Sequence, residues 1–352
     1  MSETTLYLDP VETAHLAELL YVGDTQAGFV RKRRGKGFLY CDADGTCIRE
    51  RPLLERFRAL TIPPNWKDVW ICLDPNGHIQ ATGRDEQGRK QYIYHARWEE
   101  ARNLAKFNRM TAFAEALPTI RTQVAQDLKE SCLSQQKVLA IVVRLLEETL
   151  IRIGNPEYVR QNNSYGLTTL RKRHLKLSGA GMTLKFKGKS GVRREVVIED
   201  KQLVRLIKKC QELPGQELFQ YRDENGERQS VHSGEVNSYL RTITGESFSA
   251  KDFRTWGGTR AAMRALYLLG PAATVKERKA NITRAIKQTA QELGNTPIVC
   301  RKYYIHPTIV STYEDNTLFL AMQQAAEVYT PSPTGLDIEE LAVVDLLKNT
   351  NG

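Results

Sequence analysis

Two adjacent tyrosines, Tyr303 and Tyr304, follow Arg301 and Lys302 at the end of the stretch NITRAIKQTAQELGNTPIVCRKYY, residues 281–304. A phenolic hydroxyl beside cations is where chemistry on a phosphate is to be sought. The stretch reads as a device for delivering that side chain. Ile282, Ala285, Ile286, Thr289, Ala290 and Leu293 recur at i, i+3, i+4, i+7, i+8 and i+11, which predicts a helix with one buried face. Asn281 suits its N-cap and Gly294 the position just past its end, with Pro297 preventing its resumption. A polar turn, Asn295 and Thr296, then leads through a short loop to the tyrosines. A half-buried tyrosine whose hydroxyl takes any available partner has the same local signature, so the rest of the chain must decide.

The chain has 352 residues, 41% hydrophobic and 26% charged, which is ordinary globular composition and enough for two domains with real cores. Lys plus Arg exceed Asp plus Glu by 51 to 41, and the net charge of +10 favours a polyanionic partner, nucleic acid first, over an acidic small molecule. The N-terminus MSETTLYLDPVETAHLAELL lacks a basic region followed by an apolar run, and no stretch reaches the 18 apolar residues of a membrane span, so the chain is expected to be soluble, not secreted and cytoplasmic. Cys41, Cys47, Cys72, Cys132, Cys210 and Cys300 show neither paired spacing nor a histidine at ligand distance, which argues against zinc and against a disulfide framework.

The elements that must hold these residues fall into two groups. Strand signals at Phe38 to Asp42 and Thr46 to Arg49, and at Val69 to Leu73 and His78 to Thr82, flank turn-forming segments and predict two hairpins; Lys90 to His95 is a further strand. From Trp98 the pattern turns helical, over Trp98 to Ala116, Ile120 to Leu133 and the amphipathic run Val138 to Thr149 that stops at Gly154. Short strands return at Gly166 to Leu170, His174 to Leu177, Met182 to Phe186 and Glu195 to Ile198, with Gly179 and Gly181, then Gly188 and Gly191, in the turns. Helices resume at Lys201 to Gln211, Ser233 to Thr242 and Asp252 to Leu269. Beyond Pro333 an apolar helix with four acidic residues reads as a docked tail. The boundary falls near residue 102, giving domains 1–102 and 103–352.

Phosphate-binding loops fail on inspection. Gly83 to Gly88 is followed by Arg89 and Lys90, and Gly188-Lys189-Ser190 has Thr183 where the first glycine should stand. Neither HExxH nor GxSxG occurs. With those removed, four blocks stand in one order: LEETLIRIGNPEYVRQNNSYGLTTLRKRH, LKFKGKS, KDFRTWGG and LGNTPIVCRKYYIHP. Together they resemble the type IB DNA topoisomerases of bacteria and poxviruses, and IPPNWKDVWICLDPNGHIQATGRDEQGRKQYIYH resembles that family's N-terminal module. The resemblance runs from about Arg31 to about Pro307.

Carried residue by residue, the resemblance makes Tyr304, seven residues beyond Pro297, the nucleophile and Tyr303 its neighbour. Arg152 and Arg254 match the two phosphate-clamping arginines, and Lys189 the hairpin lysine, with Lys185 and Lys187 on the same hairpin. The position before the Thr-Pro pair, histidine in some members, is Asn295. An amide donates without charge, and charge-assisted hydrogen bonds are roughly twice as strong, but a neutral donor can still hold a transition-state oxygen, so activity is expected to be retained. The chemistry asks for these types. Guanidiniums stay protonated and fit phosphate oxygens, while a lysine can release a proton to a departing 5′ oxygen. A phosphotyrosyl ester conserves the broken bond's energy, so neither ATP nor a metal ion nor another cofactor is implied.

The same resemblance assigns DNA contacts to Gln91, Tyr92 and Tyr94 on a strand facing the major groove, and to Tyr158, six residues after Arg152. The run RKRRGKG, with Arg31, Lys32, Arg33 and Arg34, reads as a solvated basic arm that touches phosphates. The expectation is an α+β protein: a small β-rich N-terminal domain and a mainly α-helical catalytic domain with a small antiparallel sheet. It would act as a monomeric clamp on duplex DNA, relaxing supercoils through a 3′-phosphotyrosyl intermediate. A tyrosine recombinase shares the Arg, Lys, Arg and Tyr set but would carry a helical N-terminal half and assemble as a tetramer. An inert DNA-binding protein is the remaining alternative.

Overall fold

A computed structural model describes residues 9–178 and 181–349; residues 1–8, the expected turn at Gly179 and residues 350–352 lie outside the description. Packing divides the chain into two compact units, Met1–Arg109 and Met110–Gly352.

In the first unit α1 (Pro10–Leu16) opens on a capping box between Asp9 and Glu12. β1 (Gly28–Arg34) and β2 (Gly37–Cys41) form a hairpin, α2 (Arg51–Ala59) follows, and β3 (Lys67–Cys72), β4 (Ile79–Arg84) and β5 (Lys90–Tyr94) complete an antiparallel sheet of order β2-β1-β3-β4-β5. Phe29, Phe57, Val69, Ile71 and Ala81 make its core. The β3 and β4 strands stand where the alternating pattern placed them, but the first hairpin is shifted. The partner of Gly37–Cys41 is the basic segment before it, and the expected strand at Thr46 to Arg49 contributes only a bridge from Cys47 to Cys41.

The basic run is therefore not a solvated arm. Strand alternation turns Arg31 inward, where it is 7% exposed. Its guanidinium donates to the carbonyls of Ile62 (2.9 Å), Pro63 (2.8 Å) and Trp66 (3.1 Å) and lies 4.2 Å from the Phe38 ring centroid. Arg31 is a structural residue of the sheet. Lys32, Arg33 and Arg34 remain exposed.

α3 (Ala96–Asp127) begins in the first unit and ends in the second. It is one helix where two were expected, because Phe113, Ala114, Leu117 and Ile120, all buried, hold both sides of Pro118 in a single packed rod. The second unit continues with α4 (Gln135–Thr149), α5 (Pro156–Asn162), the antiparallel sheet β6 (Leu175–Ser178), β7 (Gly181–Lys187) and β8 (Arg193–Ile198), then α6 (Lys201–Glu212), the short pair β9 (Gln220–Arg222) and β10 (Arg228–Ser230), and α7 (Ser233–Thr244). It closes with α8 (Ala250–Leu269), α9 (Val275–Leu293), α10 (Pro297–Tyr303), α11 (Pro307–Glu314), α12 (Thr317–Val328) and α13 (Ile338–Asn349). The expected strand at Gly166 to Leu170 is a 3-10 turn, Leu167–Thr169, fixed by the Thr169 hydroxyl accepting from the Gly166 amide at 2.9 Å. The α+β expectation holds: a sheet-based N-terminal unit and a mainly helical second unit with a small antiparallel sheet.

α4 is the axis of the second unit. It is buried along nearly its whole length and packs against α6, α7 and α8. α13 is the docked tail, anchored by a buried carboxylate. Glu340, 1% exposed, receives Arg121 on both oxygens at 2.6 and 3.0 Å and the Trp256 indole at 3.2 Å. Removing one partner of a buried ion pair leaves an uncompensated charge. Glu340→Ala is expected to lower stability by about 3 kcal/mol, read as a reduced denaturant midpoint at unchanged slope. An unaltered midpoint would show that α13 is held by its apolar face alone.

Candidate active site

Arg152, Arg254, Asn295 and Tyr304 come from four separate chain segments and meet at the ends of two helices. α4 stops at Leu150, which takes the left-handed conformation (φ 52°) and turns the chain toward Arg152. The Arg152 backbone is then clamped, its carbonyl accepting from Leu167 N (2.9 Å) and the next carbonyl, of Ile153, from Thr168 N (2.8 Å). Arg254 lies in α8 and is 4% exposed. α9 ends at Gly294 in the left-handed region (φ 62°), as its sequence predicts, and Asn295 donates its backbone N–H to Ala290 O at 2.9 Å.

Two expectations for this stretch are corrected. α9 begins at Val275 with Thr274 as N-cap, so Asn281 lies inside the helix, its amide donating to the Tyr313 hydroxyl at 2.8 Å. The first two turns, VKERKAN, are largely polar and exposed, which leaves no apolar period to mark them. The loop before the tyrosine is also helical: Pro297 opens α10 at a position where its missing N–H costs nothing. Tyr304 is the residue that ends α10, its N–H on Cys300 O at 2.9 Å.

α8 holds the tyrosine segment by direct backbone approach. A Cβ on Gly258 would lie 2.8 Å from the Tyr304 carbonyl oxygen, so only glycine admits this contact. One residue on, the Thr259 hydroxyl donates to the same carbonyl (3.2 Å) and accepts from His306 N (3.0 Å).

The cations around Tyr304 are not its sequence neighbours. Arg301 is exposed, and Lys302 lies 5.2 Å from the Tyr303 ring centroid. Around Tyr304 stand Arg254, 5.1 Å from its ring centroid, and Arg152. Burial raises the Tyr304 phenol, but Arg254, Arg152 and Lys251 outweigh it and hold the phenol below the ordinary tyrosine value. The converse holds for the guanidiniums. Burial pushes Arg152 down, and burial with Arg152 pushes Arg254 down; both stay protonated at neutral pH because a guanidinium starts so high.

No carboxylate lies within ion-pair distance of these arginines among the described residues. Backbone carbonyls hold them instead. Arg254 donates to Leu150 O and to Leu293 O (3.0 Å); Arg152 donates to the Asn295 side-chain oxygen and, at 3.4 Å, to Gly294 O. Two buried donors are left over, the Arg254 Nε–H and the Asn295 Nδ2–H, with no partner. A buried donor without a partner costs about 1–3 kcal/mol, and such groups in a folded protein call for a functional explanation. The Asn295 amide thus accepts from Arg152 on one side and has a donor to offer on the other.

Lys189 sits on the turn after β7, beside Ser190 and Gly191, both in the left-handed region. It lines one cleft with Arg152, Tyr165, Arg254 and a residue the sequence reading missed, Arg194. Of the hairpin's other lysines, Lys185 is paired with Glu195 at 2.5 Å and Lys187 is exposed outside the cleft lining. Arg194 carried no motif. A basic residue in a strand that reads RREVVI gives no signal until the register of β8 with β7 is known.

The remaining candidates are scattered. Tyr158 stands 49% exposed on α5. Tyr92, 43% exposed, stacks on Tyr94 with centroids 5.8 Å apart, while Gln91 alternates to the opposite face of β5 and donates to Asp85 at 2.9 Å. Gln91 thus stands on the face of β5 opposite Tyr92 and Tyr94.

Comparison with known proteins places these features in a family. The profile of the eukaryotic DNA topoisomerase I catalytic core matches residues 95–329, and that of the bacterial DNA topoisomerase IB N-terminal domain matches residues 37–85. The chain is 34% identical over 299 residues to DNA topoisomerase 1B of Acanthamoeba polyphaga mimivirus, covering 83% of this chain and 89% of the relative. It is 25% identical over 271 residues to DNA topoisomerase 1B of Vaccinia virus (strain Copenhagen), covering 76% and 83%. DNA topoisomerase 1 of Rabbit fibroma virus (strain Kasza) is 26% identical over 274 residues, covering 74% and 81%.

The electrostatics of the tyrosine can be tested directly. Subtracting the ultraviolet titration of a Tyr304→Phe protein from that of the unaltered one isolates the Tyr304 phenol. Because the cations favour the phenolate, Arg152→Ala should move its titration to higher pH. A shift to lower pH, or none, would remove Arg152 from its surroundings.

Proposed function

Since the chain belongs to the type IB DNA topoisomerases, we propose that Tyr304 cleaves one strand of duplex DNA by forming a 3′-phosphotyrosyl bond and that reversal reseals it, without ATP or a metal ion. The observation that carries this reading is that Arg254 and Arg152 both bear on the Tyr304 phenol, while Asn295, which holds Arg152, keeps a buried donor without a partner.

The Tyr304 phenol, made more acidic by the neighbouring cations, gives its proton to solvent, and its oxygen bonds to phosphorus as the bond from phosphorus to the 5′ oxygen breaks. Negative charge gathers on the non-bridging oxygens. Arg152 and Arg254 meet it with guanidinium N–H groups, and Asn295 with its free amide N–H; fixed donors of this kind need little reorganisation as charge develops. Lys189 gives the 5′ oxygen its proton, and in the reverse step takes it back. While the strand is open, rotation of the free 5′ end releases supercoils. Each step replaces one phosphate ester by another, so the energy of the broken bond is kept and no external energy enters.

The first unit reads as the second half of a monomeric clamp. Tyr92 and Tyr94 present one aromatic face with Lys90 5.5 Å from the Tyr92 centroid, suited to groove and phosphate contact. Lys32, Arg33 and Arg34 on the β1–β2 hairpin, and Tyr158 on α5, are further phosphate contacts in this reading, and Gln91 reaches a base only by leaving Asp85. Arg31 drops out because its guanidinium is consumed by three carbonyls.

Tyr304→Phe should abolish relaxation of supercoiled plasmid, in the absence of ATP and with metal chelated, while duplex binding persists; relaxation by that variant would exclude Tyr304 as nucleophile. Asn295→Ala should slow single-turnover cleavage roughly 10²–10³-fold, the usual cost of losing one oxyanion donor. Cleavage at the unaltered rate would show that the orphaned amide does not meet the phosphate.

A further inference from the structure

Arg194 is the cleft cation to which the catalytic reading gives no work. It lies on β8 opposite Phe186 of β7, and Arg193 is opposite Lys187, so the β7–β8 register places it close to the turn that carries Lys189. Its side chain leaves the sheet. Nη1 donates to Gln291 O at 3.0 Å and Nη2 to Glu292 O at 2.7 Å, two carbonyls of the last turn of α9, the first of which also accepts from the Gly294 N–H at 3.1 Å. Three residues past Glu292 stands Asn295. Among the described residues these are the side-chain hydrogen bonds that join the β6–β7–β8 sheet to α9.

The space is shaped for this contact. A Cβ on Gly294 would come within 2.5 Å of Arg194 Nη1, so the glycine that ends α9 also leaves room for the guanidinium. Both terminal nitrogens of Arg194 are on the carbonyls that end α9. Its planar two-pronged head is suited to bridging neighbouring acceptors, which a lysine's single ammonium does less rigidly.

We infer that Arg194 is a positioning residue: by tying the Lys189 hairpin to the end of α9, it sets Lys189 at the distance from the Asn295 and Tyr304 segment at which it can protonate the departing 5′ oxygen. This rests on the reading of Tyr304 as nucleophile and Lys189 as proton donor. In that step the phenolic oxygen bonds to phosphorus, the electron pair of the broken bond goes to the 5′ oxygen, and the Lys189 ammonium supplies its proton. Replacing that bridging oxygen by sulfur makes the leaving group a thiolate, which departs without protonation. A defect confined to proton delivery then disappears, while a defect in phosphate binding or in folding does not.

The test is single-turnover cleavage of two duplexes that differ only in that atom. Arg194→Ala should cleave the oxygen duplex roughly 10- to 100-fold more slowly, the scale of loss when a reacting group is displaced by about an ångström, and should match the unaltered enzyme on the sulfur duplex. Arg194→Lys should fall between the two on oxygen. The inference is overturned if Arg194→Ala cleaves the oxygen duplex at the unaltered rate, or is slowed equally on both. Should Arg194→Ala fail to fold, judged by affinity for uncleaved duplex, Arg194→Lys carries the same comparison. Failure of the underlying reading shows elsewhere: in cleavage by Tyr304→Phe, or in a Lys189→Ala variant that sulfur does not rescue.

Discussion

Three guanidiniums, Arg152, Arg194 and Arg254, are brought into one cleft with no carboxylate to pair them among the described residues, and the fold depends on what holds them there. Like charges repel, and burial removes the water that would screen them. The answer is the ends of helices. α4 offers the carbonyl of Leu150, and α9 those of Gln291, Glu292, Leu293 and Gly294, where a helix concentrates partial negative charge and unpaired acceptors. A carboxylate in their place would pair with the arginines outright and compete with a phosphate. Carbonyls orient the donors and leave the net positive charge available.

That arrangement suits an asparagine at position 295. Its side-chain oxygen accepts from Arg152 while the amide nitrogen keeps a donor free. An imidazolium would have only donors to set against a cleft already rich in them. The orphaned Arg254 Nε–H and Asn295 Nδ2–H are a local cost in stability that the surrounding packing sustains. α8 does most of this. It carries Arg254, takes the Tyr304 backbone against Gly258 and Thr259, and is itself braced by α13 through Trp256 and Glu340. The C-terminal helix thus braces the helix from which Arg254 projects.

The first unit follows the opposite rule. Its sheet buries one guanidinium, Arg31, as a structural bolt across three carbonyls and leaves its neighbours Lys32, Arg33 and Arg34 outside. Alternation separates Arg31 from Lys32, while Arg33, on the same face as Arg31, lies past the end of the β1–β3 pairing, which stops at Arg31. The same alternation separates Gln91 from Tyr92 and Tyr94.

Much was legible from the chain alone. The apolar period of Ile282 to Leu293 marked a buried helix face, Gly294 its end, and four motif blocks in one order the family; these are local patterns, dictated by side-chain periodicity and backbone stereochemistry. Helix starts with polar first turns, as at Val275, and a helix continuing through Pro118 were not legible, since exposed residues carry no period and packing can override a breaker. Nor could a basic run declare which of its arginines turns inward. The local pattern around Tyr304 pointed to Arg301 and Lys302, whereas the resemblance named Arg152 and Arg254; the groups that bear on the phenol arrive from α8 and from beyond α4. Arg194 is the clearest case of a contact decided only by the fold, because its partners lie 97 and 98 residues away, and hydrogen bonds at that separation exist only once strand register and helix packing have closed the distance.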